Sequence, residues 1–359
     1  NGDGRPDVAY AGDNQGNMWK FLLSSDDSSQ WGVAQWGTQA GTTSNLTTTG
    51  TPLYTAKGGT TGSPSTRSLA QPITAAPTVR SNERTKKVTE AGVQKTVSVG
   101  GLMVAFGTGR NVSMTDPDNN NVQSIYSVLD NTRYKLVGTN KDRVQVCAST
   151  SDAECSGIVK TSADLPTPVS TTPNGAGPLV QHRISSTAVY SRTNDKRDFW
   201  TVDAPAPAAG ANSWTMDWNT YQGWYLDLPE LGERLLDPMG FYSGSNMLAV
   251  FSKVPARGSR ADVNVESCES GSPTAARQYL TLLNIMDGKR PSIQVFDTNN
   301  DGVYSLAADL GASRMSVSAG PQSMVKIDGA DGSAKIQIDD TLNADFPEKT
   351  TRPTWRQPK

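Results

Sequence analysis

Residues 297–305 have the types and spacing of a calcium-binding loop. Four side chains there bear oxygen at the pattern's ligand positions, and the carbonyl of one further residue adds a fifth ligand. A glycine at the sixth position permits the tight turn that brings such oxygens around one hard cation. We therefore predict a Ca²⁺ site formed by Asp297, Asn299, Asp301, Val303 and Ser305.

The end of this segment differs from an EF-hand. Position 12 of the pattern is Ala308, where an EF-hand has a bidentate glutamate, so water or a nearby carboxylate such as Asp309 is expected to complete the coordination. With only two carboxylates in place, we expect an affinity of about 10⁻⁶ to 10⁻³ M, which suits extracellular calcium. The alternative is a metal-free Asx turn between two strands, of which SIQVF would be the first.

A second segment with this spacing opens the chain. Asn1, Asp3 and Asp7 align with residues 299–305, and the first position of the pattern would precede Asn1. We treat these three residues as secondary candidate calcium ligands. The acidic segment TDPDNNN at 115–121 contains a proline and lacks a downstream glycine, which favours a simple turn, so we assign no metal to it.

The histidine and cysteine content limits the possible chemistry. His182 is the single histidine, so a catalytic triad or an imidazole metal cluster would depend on that one ring. It lies in LVQHRISSTAVY, whose alternation predicts a strand, and we interpret the ring as a packing residue. No CxxC pair occurs. The spacing of Cys147 and Cys155 favours a small disulfide loop, with two reduced thiols as the alternative, and the pairing of Cys268 stays open.

Aromatic residues concentrate between Phe199 and Tyr242. Such a cluster could form a platform for carbohydrate or protein, but packing between sheets is the favoured interpretation. The surrounding sequence does not specify the paired carboxylates of a glycoside hydrolase.

Charge and hydropathy exclude further classes of partner. The chain has 33 basic and 35 acidic residues and a formal net charge of -2, which leaves no basic field for a phosphate backbone, so we predict no nucleic acid partner. Its apolar runs, such as 102–106 and 247–251, are far shorter than the roughly 20 residues that cross a bilayer. We therefore predict no membrane span.

Pairs of strand-like segments recur along the chain. The opening residues predict a hairpin from Asp7–Ala11 and Asn17–Leu23. Two longer pairs repeat the order of an apolar strand, a variable loop and a second strand: GLMVAFGTGR with QSIYSVLDN, and NMLAVFSKVP with RQYLTLLNIMDGK. Stacked or radial sheets produce such recurrence. The sequence therefore predicts an all-β fold, a modified β-propeller with long inter-strand insertions.

We interpret residues 1–359 as a single propeller domain whose blade count stays open. Two packed β-sandwiches are the alternative. Helical periodicity is weak, and its best segment, 227–236, is limited by proline and glycine to little more than one turn. The Ser-, Thr- and Gly-rich residues from Ser24 to Ala70 are predicted to form a long surface excursion.

Several segments make the chain resemble the C-terminal domain of the type IV pilus tip adhesins, the PilC/PilY family. The matching segments run in order from Asp3 to Trp355, and GWYLDL-x-x-x-GER is the most specific of them. They are DGRPDVAYAGDNQGNMWKF, QPITAAPTV with GLMVAFGTGR, GWYLDLPELGERLL and RPTWRQ.

The resemblance implies a calcium-binding, pilus-associated protein that acts in pilus biogenesis, in control of extension and retraction, in surface adhesion and in twitching motility. It implies the C-terminal part of a larger protein whose N-terminal region is absent here. The implied partners are the minor pilins of the pilus tip and other pilus components, with a host-cell or abiotic surface as a further target. The implied location is the bacterial pilus tip or cell surface, reached through the periplasm and outer membrane.

The resemblance also bears on the calcium loop and on enzymatic activity. Ser305 stands where the family often has a carboxylate, which lowers the expected affinity. QPITAAP and MVAFGTGR are in addition similar to segments of pyrroloquinoline-quinone dehydrogenase propellers, but the quinone pocket and catalytic aspartate of those enzymes have no counterpart that we recognise. We predict no enzymatic activity, with a quinone-dependent dehydrogenase-like or carbohydrate-active propeller enzyme as the alternative.

Overall fold

The computed structural model describes the chain in several ranges. These are residues 6–23, 28, 31–34, 46–47, 52–60, 63, 66–137, 143–147, 155, 178–241, 245–256, 275–317, 325–328, 334–339 and 342–346. Within them no α-helix occurs, and a 3₁₀ turn spans Asp116–Asp118. No helix in these ranges has the length and hydropathy to cross a membrane.

Strands provide nearly all of the regular structure in these ranges. The first half contains β1 Val8–Gly12, β2 Asn17–Leu22, β3 Gly32–Ala34, β4 Leu46–Thr47, β5 Tyr54–Thr55, β6 Lys57–Gly58, β7 Leu69–Ala70, β8 Thr78–Ser81, β9 Thr85–Glu90, β10 Val93–Ser98, β11 Leu102–Gly107, β12 Ser124–Asp130, β13 Tyr134–Val137 and β14 Arg143–Val146. The second half contains β15 Val180–Ile184, β16 Tyr190–Arg192, β17 Arg197–Trp200, β18 Val202–Asp203, β19 Gly223–Asp227, β20 Gly240–Phe241, β21 Met247–Val254, β22 Arg277–Asn284, β23 Arg314–Val317, β24 Val325–Asp328, β25 Ala334–Asp339 and β26 Leu342–Phe346.

Three large sheets contain most of these strands. The first has the order β1-β2-β3-β4, with β5 also paired to β2; the second has the order β18-β15-β19-β12-β11-β8; and the third has the order β16-β17-β23-β22-β21-β20. In the second sheet β15 and β19 are parallel. A parallel pair needs a long crossover, and the chain supplies it by passing through β16 and β17 of the third sheet. This exchange links the second and third sheets through the backbone.

The apolar run in β11 is explained by burial on both faces. Met103 and Ala105 belong to one core, whereas Val104 and Phe106 belong to another. Successive strand residues point to opposite faces, so a strand that is covered on both sides is apolar at every position. The first sheet covers one face of the second sheet and the third sheet covers the other. Such face-to-face stacking is how neighbouring propeller blades bury their sheets.

A third core lies on the remaining face of the third sheet. Strand residues such as Leu280 and Met315 pack there against Val295 and Phe296. The sequence predicted residues 292–296 as a strand, and this was wrong: the segment is irregular, although Val295 and Phe296 at its end are buried. The side-chain amide of Gln294 donates to the carbonyl of Phe296 at 2.7 Å. A side chain, and not a neighbouring strand, therefore satisfies this backbone group.

Most of the predicted strand pairs are confirmed. The opening hairpin is β1 with β2, and the two longer predicted pairs are β11 with β12 and β21 with β22, all antiparallel. The prediction of a surface excursion for residues 24–70 was wrong for its described second half. Leu53 and Ala56 are fully buried there, and together with Tyr54 they pack against the second sheet.

The predictions for the histidine, the aromatic cluster and the cysteines can also be compared with the structure. His182 is fully buried in β15, with its ring edge-on to Trp214 and Trp224, which confirms a packing role. Trp224 is itself fully buried, as core packing of the aromatic cluster requires. A disulfide joins Cys147 to Cys155, as predicted, whereas Cys268 lies outside the described residues.

The glutamate of the GER segment is a structural residue of the third sheet. Both Glu233 carboxylate oxygens accept hydrogen bonds from Arg314, at 2.8 and 3.0 Å, and both side chains are almost fully buried. The hydroxyl of Ser252 donates to the same carboxylate. The Arg314 guanidinium lies 4.0 Å from the ring centroid of Tyr279, whose pKa burial raises to about 12. This part of the signature therefore joins three strands, β21, β22 and β23.

The neighbouring arginine of the signature holds a loop. The Arg234 guanidinium donates to the carbonyls of Arg110 and Asp116, both at 2.7 Å, and to that of Asn119 at 2.8 Å. Its backbone pairs with Lys253 of β21. The GER segment thus fixes residues 110–119 against the third sheet, which explains its specific sequence without a role in catalysis.

Candidate functional site

The predicted calcium loop is an exposed turn with two buried ends. Phe296, directly before it, packs on Phe199 of β17 with ring centroids 6.3 Å apart. Asp309, just after it, is fully buried. Between these anchors Val303 is 58% exposed, so the tip of the loop is open to solvent. The loop is therefore positioned by the third core while its oxygens remain accessible.

Two left-handed residues shape the turn. Asn300 has φ 60° and Gly302 has φ 80°, conformations that asparagine and glycine tolerate best. The carboxylate of Asp297 then accepts the backbone N–H of Gly302 at 2.8 Å and that of Asp301 at 3.2 Å. Asp297 therefore lies inside the turn, where the first ligand of such a loop is expected.

The next two predicted ligands contact each other. The Asn299 amide donates from Nδ2 to Asp301 Oδ2 at 2.9 Å, and its Oδ1 accepts the Asp301 N–H at 3.1 Å. Asp301 Oδ1 accepts the N–H of Val303 at 2.7 Å. Further along, Ser305 Oγ accepts backbone N–H groups at 3.3 and 3.4 Å. The structure thus brings the predicted oxygens into one turn and holds them with the loop's own amides.

Asp309 is a buried brace of the loop: its carboxylate joins the two ends of the turn by hydrogen bonds. Its Oδ1 accepts the backbone N–H of Thr298 at 2.7 Å and the hydroxyl of Thr298 at 3.1 Å. Its Oδ2 accepts the N–H of Ser305 at 2.8 Å. The sequence offered this carboxylate as a further ligand, but both of its oxygens are engaged in joining the two ends of the turn. The spacing of the 12-position calcium-loop pattern does not indicate that Asp309 joins the ends of the turn.

The donor set of the loop can be compared with the preferences of metal ions. Within the part of the chain that is described, no group of three or more His, Cys, Asp and Glu side chains is arranged to hold a metal ion. The loop has two carboxylates, those of Asp297 and Asp301, and the remaining donors are an amide, a hydroxyl and a carbonyl. An all-oxygen set suits a hard cation such as Ca²⁺, and the low negative charge suits weak binding. Calcium binding stays a prediction.

Two other segments were considered for calcium, the opening residues and the acidic turn at 115–121, to which no metal was assigned. Asn1 and Asp3 lie outside the described residues, and Asp7 is described just before β1, with its carbonyl accepting the N–H of Leu23 at 2.9 Å. The calcium prediction for these three residues stays untested. At Asp116 the side chain accepts hydrogen bonds from Arg110, which lower the pKa of that carboxyl, and from two backbone N–H groups. This segment is the turn that was predicted.

Sequence comparison gives matches over part of the chain. Residues 1–151 match the family model described as the PilY1 beta-propeller domain. The type IV pilus biogenesis factor PilY1 of Pseudomonas aeruginosa is 31% identical over 135 residues, which are 36% of this chain and 10% of that protein. A PilY1 homologue of Xylella fastidiosa is 28% identical over 132 residues, 36% of this chain and 7% of that protein. The match thus spans about a tenth or less of each relative's length.

Structural comparison extends the similarity along the chain. The crystal structure of the Pseudomonas aeruginosa PilY1 C-terminal domain matches with a TM-score of 0.53 and 19% sequence identity. The match covers 95% of this chain and 57% of that chain. At this identity the likeness establishes the fold. Together with the family model, it confirms the prediction of an all-β, modified β-propeller.

Proposed function

Because the chain carries a PilY1-family C-terminal domain, as its motifs indicated, we propose that it acts in type IV pilus biogenesis. The observation that carries this proposal is the match of residues 1–151 to the family model, together with 31% identity to a named pilus biogenesis factor. The relatives are named as biogenesis factors, which supports a non-enzymatic role. The contacts of the GER segment, which fix residues 110–119 against the third sheet, are consistent with a structural role.

The proposal assigns calcium binding to the loop at 297–305. Support comes from the convergent oxygens of Asp297, Asn299 and Asp301, from the left-handed turn at Gly302 and from the buried brace at Asp309. Calcium, when bound, would neutralise the two carboxylates and hold the exposed tip in one conformation. The chain's own contribution is to present the oxygens on a turn whose ends are fixed in the third core. Such a loop could make the surface around it respond to extracellular calcium.

The proposed location is the bacterial pilus tip or cell surface, reached through the periplasm and outer membrane. The proposed partners are minor pilins of the tip and other pilus components, and a host-cell or abiotic surface is the proposed adhesion target. Control of extension and retraction, adhesion and twitching motility belong to the same proposal. The disulfide between Cys147 and Cys155 supports an oxidising, extracytoplasmic location.

A genetic complementation experiment tests this function. The coding segment for the chain is deleted in its native bacterium, and surface pili are counted by electron microscopy together with the diameter of the twitching zone. We expect loss of both, with restoration by the wild-type segment. Asp301→Ala should restore assembly less well at millimolar calcium, whereas the control Asp118→Ala should restore it fully. Unchanged piliation and twitching after the deletion would contradict the proposal.

A further inference from the structure

β9 and β10 form a separate two-stranded ribbon. They pair in unbroken antiparallel register from Thr85 with Ser98 to Glu90 with Val93, and among the described strands neither pairs with a third. The turn at 91–92 has two positive φ angles, 49° and 80°, typical of the two-residue hairpin loop whose twist suits the strands. An isolated two-stranded ribbon is marginally stable in water. A third strand would therefore stabilise it.

The register shows which backbone groups point outward. In a two-residue hairpin the residues that flank the turn form a hydrogen-bonded pair, and such pairs alternate along the ribbon. The N–H and C=O groups of Gln94, Thr96 and Ser98 therefore point away from β9. The same alternation places the Lys87 carbonyl on the outer edge of β9, where it accepts the Asn219 side-chain amide at 3.0 Å. That contact confirms the alternation and covers part of the β9 edge.

The β10 edge has no comparable cover. Gln94, Thr96 and Ser98 are all exposed, and no hydrogen bond within the described ranges uses their outward backbone groups. Proteins commonly protect an edge strand with proline, a β-bulge or an inward-pointing charge. β10 has neither proline nor bulge, and its one charged side chain, Lys95, is paired with Glu90 of β9. The edge is thus open for pairing with another strand.

The charge around the ribbon indicates what kind of strand fits. Residues 83–98 contain four basic and two acidic side chains in a chain whose formal net charge is -2. Two of the basic side chains already have acidic partners: Lys95 lies 2.9 Å from Glu90, and Arg84 lies 3.9 Å from Asp287. Lys86 and Lys87 of β9 contribute the remaining positive charge. A second copy of the ribbon would carry the same net positive charge and would therefore be repelled. An acidic strand would instead meet the excess of positive charge.

We propose that the outer edge of β10 is a docking site for an extended, acidic segment of a partner protein, which adds a strand beside Gln94, Thr96 and Ser98. In this mode backbone hydrogen bonds supply affinity and side chains supply selectivity. The site lies on the second sheet's hairpin connection between β8 and β11, and it does not depend on the calcium loop.

Binding of synthetic peptides to the full chain tests the proposal. The probe is the labelled peptide acetyl-Thr-Glu-Val-Glu-Val-Thr-Glu-amide, and its comparison has lysine in place of every glutamate. Affinity is measured by fluorescence anisotropy, and contact is located by amide hydrogen exchange. We expect the acidic peptide to bind roughly tenfold more tightly than the basic one and to slow exchange in residues 93–98. Equal affinities, or protection only elsewhere, would overturn the proposal.

A matched pair of proline variants distinguishes the two edges. Thr96→Pro removes an outward N–H of β10 without removing a hairpin hydrogen bond, and Thr89→Pro does the same on β9. We expect binding to weaken about tenfold in Thr96→Pro and to stay unchanged in Thr89→Pro.

Two further measurements address the cases in which Thr96→Pro disrupts the ribbon or a second copy of the chain occupies the edge. A peptide N-methylated on alternate amides, tested with the wild-type chain, should lose binding even if Thr96→Pro disrupts the ribbon. Full binding of that peptide would overturn the proposal. So would a dimer in analytical ultracentrifugation that Thr96→Pro abolishes, because the occupant would then be a second copy.

Discussion

Replacement of Glu233 by glutamine should destabilise the fold strongly. The Arg314 side chain is 1% exposed, and both hydrogen bonds that neutralise it end on the Glu233 carboxylate. Glutamine keeps the size of the side chain but removes its charge, which leaves a buried guanidinium without a counter-charge. Removal of one partner of a buried pair typically costs about 3–5 kcal/mol. We expect a loss of that size in the free energy of unfolding.

Chemical denaturation in urea, followed by tryptophan fluorescence, measures this loss. The control is Glu230→Gln, three residues away, whose partner Arg277 is 46% exposed and whose removal should cost less than about 1 kcal/mol. The double variant Glu233→Gln/Arg314→Met should be less destabilised than the sum of its single variants, because the unpaired charge is gone. A cost for Glu233→Gln no larger than that for Glu230→Gln would refute the reasoning.

Three further predictions concern other buried groups. Asp309→Asn should lower the free energy of unfolding in urea by about 2–4 kcal/mol, because an amide cannot accept the N–H groups of both Thr298 and Ser305. A smaller loss than that caused by Asp301→Asn would contradict the role of Asp309 as a brace. His182→Gln should flatten the pH dependence of stability between about pH 6.5 and 4. Cys147→Ser should lower stability by about 2–3 kcal/mol in thermal unfolding of the oxidised chain, and an unchanged unfolding midpoint would argue against this.

The sign of the histidine effect follows from linkage. Burial lowers the pKa of His182 from 6.5 to about 4, so the unfolded chain binds the proton first as the pH falls. Above about pH 6.5 the histidine is neutral in both the folded and the unfolded chain, so the free energy of unfolding is unaffected. Below about pH 4 the free energy of unfolding is lower by the full effect, about 3 kcal/mol. Unfolding of wild type and His182→Gln at a series of pH values measures it, and parallel curves would contradict the assignment.

Strand pairs with strong local patterns could be predicted from the sequence. β11, β12, β21 and β22 are apolar and end in turn residues, and each pairs with its neighbour along the chain. The ribbon of β9 and β10 was missed, because its apolar residues are three separated valines, Val88, Val93 and Val97, and Ala-Gly is a weak turn signal. Neither face of the ribbon is fully buried, so its alternation is weaker than that of a strand with one face in the core.

The buried ion pairs could not be predicted, because their partners are far apart in sequence. Lys20 and Asp130 are 110 residues apart and meet at 2.6 Å between the first and second sheets. Arg67 donates to Asp227 at 2.7 Å across a separation of 160 residues. The oxygens of the calcium loop, in contrast, are local, and their spacing alone indicated that they would share one turn. The role of Asp309 depends on the loop's folded shape, which the spacing does not specify.

Isothermal calorimetry with Ca²⁺ tests the central claim, that the loop at 297–305 binds one calcium ion. The titration uses the wild-type chain, Asp301→Ala and the control Asp118→Ala, each first shown to be folded by circular dichroism. We predict one ion per chain with a dissociation constant of about 10⁻⁶ to 10⁻³ M, at least about tenfold weaker in Asp301→Ala and unchanged in Asp118→Ala. No binding at millimolar calcium, or equal binding in all three proteins, would contradict the claim.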